Sequence, residues 1–104
     1  MEFRDLREFI KICEDIGEAR VIENADWDLE IGAITELTAE IRGPLLLFDK
    51  IKGYPAGFRV LSNMYSNLRR TAIALNLPEG LSPIETFKAW RNKMRTLKPI
   101  PPVE

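Results

Sequence analysis

The sequence predicts a mixed α/β fold: a small three-stranded sheet covered by helices, in the order α-β-α-β-β-α-α. Three observations carry that prediction. Apolar residues recur at three- and four-residue spacing in the segments around 6–16, 31–41 and 84–97, the repeat of one helix face. Leu45-Leu46-Leu47-Phe48 is continuous rather than alternating, which marks a strand covered on both faces and therefore a central one. Ser82-Pro83-Ile84-Glu85 combines a serine cap, a proline at the first helical position and a glutamate at the third, a capping box.

Taken in order, Asp5 can cap the first helix, because its carboxylate can accept from the free N–H groups of the first turn. Leu6, Phe9, Ile10, Cys13 and Ile16 form its apolar face, and Gly17 can end it in the left-handed conformation. Residues 19–23 (ARVIE) follow as a short strand, with Ala19 and Val21 alternating against Arg20. Asn24 to Asp28 is a turn, and Asp28 is the expected cap of a second helix over 28–42. Ile31, Ile34, Leu37, Thr38 and Ile41 share one face of that helix, and Gly43-Pro44 stops it.

The central strand 45–48 leads through a turn-rich connection to a strand over 58–61 (FRVL), spaced to suit an antiparallel hairpin. Ser66 is the expected cap of a third helix over 67–75, whose inner face is Leu68, Thr71, Ala72 and Leu75. Arg69 and Arg70 then point outward. Two arginines at a helix start oppose the helix dipole, so they call for acidic side chains or a neighbouring domain, or else form a plain solvated face. The fourth helix carries Ile84, Phe87, Trp90, Met94 and Leu97 on one side, expected to dock on the domain's own core. Lys88, Arg91, Lys93 and Arg95 form its basic side. Residues 98–104 (KPIPPVE) are a Pro-rich extended connector, leaving 1–97 as a single domain.

A chain of 104 residues has enough core for one domain, burying roughly two-thirds of its unfolded surface. With 45% hydrophobic and 30% charged residues and no apolar run near the ~20 residues that span a bilayer, the expectation is a soluble protein with no membrane partner. The charged start MEFRDLREFI does not look like a secretory leader, and a lone Cys13 suits a reducing compartment, so a cytoplasmic location is expected. With no histidine and one cysteine, the chain cannot build a Ser-His-Asp triad, a Cys-His pair or the usual zinc site.

Asp26, Asp28 and Glu30 alternate as in a calcium loop, but Ile31 and Leu37 stand where that loop needs glycine and glutamate, so capping explains the acids. The glycines of Gly53-Tyr54-Pro55-Ala56-Gly57 lack the Gly-Lys-Ser/Thr ending of a phosphate loop. Charge is segregated: residues 1–41 hold 4 basic and 12 acidic side chains, and residues 42–104 hold 11 and 4. Either the halves neutralise each other or each faces a charged neighbour. A nucleic-acid surface is the weaker reading, since the basic residues are not interleaved with aromatics and match no such motif, and no nucleic-acid partner is expected.

Several segments together resemble the N-terminal domain of the UbiD-type decarboxylases. They are Asp5-Leu6-Arg7-Glu8-Phe9-Ile10, Gly17-Glu18 before the first strand, Asp28-Leu29-Glu30-Ile31, and the stretch from Gly43 to Leu77 with its Gly-Pro, Leu-Leu-Phe, Lys-Gly and Asn63 in order. Ser62 departs from the pattern, where a glycine commonly precedes the asparagine. The resemblance implies reversible decarboxylation of unsaturated or aromatic carboxylic acids by an enzyme that uses prenylated FMN with a divalent metal and potassium. It also implies an Arg-Glu-Glu network in a domain beyond this one, so no catalytic, flavin or metal residue is carried over to this chain.

The expected role is a non-catalytic N-terminal domain or small subunit of an oligomeric enzyme, partnered by the flavin-binding remainder in the same chain or as a separate subunit. Arg69, Arg70, Lys88, Arg91 and Arg95 are the candidate contacts with that remainder. The alternative is a stand-alone binding or regulatory module derived from the same domain.

Overall fold

The computed structural model describes residues 2–103; Glu104, the last residue of the expected connector, lies outside the described residues. The elements follow the anticipated order: α1 Leu6–Asp15, β1 Ala19–Glu23, α2 Glu30–Glu40, β2 Leu45–Asp49, β3 Val60–Ser62, α3 Leu68–Ala74 and α4 Pro83–Thr96. The sheet order is β1-β2-β3. β1 runs parallel to β2, with Ala19 opposite Leu45, and β2 pairs antiparallel with β3, with Leu47 opposite Leu61. Parallel neighbours need a crossover, and α2 supplies it.

The central strand separates two cores. Leu45 closes with Phe9 and Cys13 of α1 and Ile73 of α3 on one face. Leu46 and Phe48 close with Ala25, Ile51 and the half-buried Ile31 and Ile34 of α2 on the other. Because successive side chains of a strand point to opposite faces, four apolar residues in a row are what a strand between two cores requires. β1 is an edge with a thinner pattern: Ala19 and Ile22 are half-buried, one towards each core, and Val21 is exposed, contrary to the expected pairing of Ala19 with Val21 inside.

Helix ends explain the boundary differences. Asp5 caps α1 as expected, accepting from the Glu8 N–H at 2.9 Å. Gly17, at φ 77°, closes it with the Gly17 N–H on the Glu14 carbonyl and the Glu18 N–H on the Cys13 carbonyl, a Schellman cap. The cap of α2 falls one residue later than expected, at Leu29, and the helix begins at Glu30. Asp28 does not cap it; Asp26 accepts the Asp28 N–H in a tight turn, and Leu29 takes a left-handed conformation at the helix start. α2 also stops early, at Glu40, because Arg42 turns left-handed and the Gly43 N–H reaches back to the Thr38 carbonyl at 2.9 Å. Asn67, not Ser66, caps α3, accepting the Arg70 N–H at 3.0 Å. β3 begins at Val60 rather than at residue 58, since Phe58 stays in the loop against Tyr54.

Gly43 is a close-approach glycine. A Cβ there would lie 2.8 Å from the Thr38 Cγ2 and 3.2 Å from its carbonyl oxygen. Gly43→Ala is expected to destabilise the domain by about 1–3 kcal/mol, as overpacking does, with the change read from urea unfolding monitored by circular dichroism.

Candidate functional site

The loop that delivers β3 into α3 holds the densest polar constellation in the molecule. Asn63 sits in a left-handed conformation, donates through its amide to the Thr35 carbonyl at 3.0 Å, and turns its own carbonyl inward. Next to it, the Ser62 and Thr35 hydroxyls share a hydrogen bond that ties the end of β3 to α2. Arg70, one turn into α3, folds its guanidinium back beneath this loop.

Arg70 is 0% exposed, and every nitrogen of its guanidinium donates to a protein oxygen. Nε meets the Met64 carbonyl at 3.3 Å, and Nη1 meets Glu18 Oε2 at 2.6 Å. Nη2 meets the Gly43 carbonyl at 2.8 Å, the Asn63 carbonyl at 3.0 Å and the Ser66 hydroxyl. Glu18 completes the cluster, accepting also from the Asn67 amide at 3.1 Å and, at 3.5 Å, from Arg69. Burial alone would push the Glu18 carboxyl up, but the hydrogen bonds from Asn67 and Arg70 and the charges of both arginines outweigh it and hold it below its ordinary value.

This corrects the outward placement of Arg70: it is a structural clamp, and a side chain with no exposed surface cannot touch a partner. The partner that the dipole argument called for exists, and it is Glu18 of the same chain. Arg69 is exposed as expected and reaches Glu18 only at the rim of the cluster. Sequence reasoning missed Glu18, Asn63, Asn67 and Gly43 as members. The paired arginines at a helix start were the signal that could have found an acidic partner.

α4 provides the second feature. Its cap is as read from the sequence, with Ser82 accepting the Glu85 N–H at 3.2 Å. It rests on the domain through Thr86, Ala89, Trp90 and Lys93, and the Lys93 ammonium donates to the Leu75 carbonyl at the C-terminal end of α3. Lys93 therefore leaves the basic face and stabilises the negative end of a helix. Of the stripe expected to dock on the core only Trp90 does so; the rest faces outward, with Ile84 69%, Phe87 65% and Met94 48% exposed and Leu97 exposed beyond them. The expected division into an apolar and a basic side does not hold: Ile84, Phe87 and Met94 share the outer face with Lys88, Arg91 and Arg95, while Thr86, Ala89, Trp90 and Lys93 form the inner one.

Leaving such side chains in water forgoes roughly 1.5–3 kcal/mol each relative to full burial. Lys88, Arg91 and Arg95 are exposed alongside, and among the described residues none has a carboxylate within ion-pair distance. A cleft of about 660 Å³ opens where α4 begins, lined by Leu68, Arg69, Leu77, Leu81 and Pro83 among others.

No group of three or more histidine, cysteine, aspartate or glutamate side chains that could hold a metal occurs among the described residues. The Arg70 guanidinium has its donors taken up by protein oxygens. Nor, among the described residues, is any helix long and apolar enough to cross a membrane.

Two outcomes are expected from the clamp. Arg70→Ala strips donors from three carbonyls and leaves Glu18 without its main counter-charge, and should cost about 3–5 kcal/mol in chemical denaturation, whereas Arg69→Ala should stay within about 0.5 kcal/mol. Glu18 has a lowered folded pKa, so its contribution is complete above its unfolded value near 4.5 and is lost as pH falls towards the folded value. Stability measured from pH 6 downward should therefore show an acid-side decline that Glu18→Gln removes.

Residues 10–90 match the family described as the 3-octaprenyl-4-hydroxybenzoate carboxy-lyase N-terminal domain. Among solved structures, vanillic acid decarboxylase of Sedimentibacter hydroxybenzoicus in its open form superposes with a TM-score of 0.82 at 27% identity, over 98% of this chain and 22% of that one. Its closed form gives 0.79 at 28% identity, over 98% and 21%. The chain thus spans about a fifth of the length of the decarboxylase chain it matches. With most of its length inside the family match, and with the fold in common, the chain belongs to the UbiD family as an N-terminal domain of that type.

Proposed function

We propose that this chain is the non-catalytic N-terminal domain, or small subunit, of a UbiD-like decarboxylase acting reversibly on unsaturated or aromatic carboxylic acids. The observation that carries this reading is coverage: nearly the whole chain superposes on one part of a decarboxylase chain more than four times as long. The remaining part of such an enzyme would hold prenylated FMN with its divalent metal and potassium, and would supply the groups that protonate the product carbon. No chemical step is assigned to the residues of this chain.

The role of this domain is supportive. Residues 1–97 form the packing unit and 98–104 the connector, and the complete enzyme is oligomeric and cytoplasmic. Arg69, Lys88, Arg91 and Arg95 are its contacts with the flavin-binding part, supported by their exposure and, for the three on α4, by the absence of an ion pair among the described residues.

Isolation of the protein from its natural source tests the reading. The expected result is these residues either within a much longer polypeptide or bound to a larger subunit, with a flavin absorbance that tracks the larger part. A lone chain of this size without flavin would overturn it.

A further inference from the structure

We infer that the Ile84–Phe87–Met94 ridge of α4 seats on an apolar, carboxylate-rimmed surface of the larger, flavin-binding part of the enzyme. The inference rests on the function proposed above and names the face and the chemistry of the contact. The two cores are closed without this ridge, so nothing in the domain remains to cover it. Its composition also defines the partner. Arg91 lies between Phe87 and Met94 in the same stripe, with Lys88 and Arg95 along the border.

A purely apolar partner would strip water from Arg91 and leave it unpaired, which costs more than the ridge returns, so the facing surface must place a carboxylate there. The opposite side of α4 faces the domain, with Thr86 buried and the Lys93 ammonium donating to the Leu75 and Asn76 carbonyls just past α3. The apolar surface also continues past the helix through exposed Leu97 and Ile100 along the extended segment, away from both cores. The decarboxylase chains that this domain matches hold more than three quarters of their length outside the match, enough polypeptide to supply such a surface.

The outer side of α2 has similar chemistry, with Leu37 and Ile41 exposed among Glu30, Glu36 and Glu40. A second copy docking through α2 is thus the competing occupant, and an anionic membrane surface is another. Hydrogen exchange by mass spectrometry on the complete enzyme separates them.

In wild-type enzyme, peptides covering 84–96 should exchange slowly. Phe87→Asp combined with Met94→Asp should speed them by about tenfold or more, together with a segment outside residues 1–104 that contains Asp or Glu, while peptides over β2 stay unchanged. Phe87→Leu should keep the protection. Should the double variant fail to fold, Arg91→Glu with Arg95→Glu keeps the apolar ridge and should free the same two segments.

The inference is overturned if α4 exchange does not respond, or if it responds with no accompanying segment outside these 104 residues. It is equally overturned if Leu37→Asp frees α4 as Phe87→Asp does, which would identify a second copy. Loss of binding to phosphatidylserine vesicles in the Phe87→Asp variant would identify a membrane and overturn it as well. If the enzyme holds flavin yet α4 is indifferent, this inference alone fails. If no flavin-binding part accompanies the domain, the functional reading fails with it.

Discussion

One guanidinium holds the connections of this fold together. Arg70 reaches the residue that opens the approach to β1, the glycine that opens the approach to β2, and three residues of the loop leaving β3. The sheet has only three strands, one of them three residues long, and a sheet that small cannot fix its own edges by ladder hydrogen bonds alone. Gathering the three chain entries on a planar group with forked donors gives them a common origin. Lysine could not substitute, since a single ammonium cannot span those acceptors. An enclosed charge of this kind is costly to desolvate, and its retention here is reasonable because its surroundings are carbonyls and a carboxylate already held in place by other caps.

Much of the fold was legible because its strongest signals are local. The Leu45–Phe48 run announced a strand between two cores, and Asp5, Gly17 and Ser82-Pro83 announced helix ends whose chemistry needs no tertiary help. The start of α2 was not legible, because Leu29 adopts a left-handed conformation that its side chain disfavours and that only the Asp26 turn explains. Its end was obscured for the same reason at Arg42. The position of Arg70 was illegible for a different reason: helical spacing separates inner from outer residues, but a long side chain at the helix start can fold back under a loop whose path the sequence does not specify. α4 shows the limit of periodicity in another way. A stripe of apolar residues says that a face will be covered, and it does not say by what.

The separation of charge along the chain acquires a structural meaning. The ion pairs that join the acidic and basic parts are few and lie close to β1: Glu18 with Arg69 and Arg70, and Glu23 with Lys50. The acidic rim of α2 and the basic rim of α4 take no part in them. Ion pairing between the two parts thus sits at the two ends of β1, and the two outer helices present opposite signs to their surroundings. Exposed charges of this kind contribute little to folding and a good deal to the rate and orientation of association.

Cys13 lies in the core between α1 and the sheet, fully enclosed, and burial pushes its thiol up from its ordinary value despite the nearby Arg70 charge. A reagent that attacks thiolates can reach it only when α1 lifts from the strands. The one sulfhydryl in the chain is therefore a clock for opening: its rate of labelling reports how often the first core comes apart, without any label being engineered in.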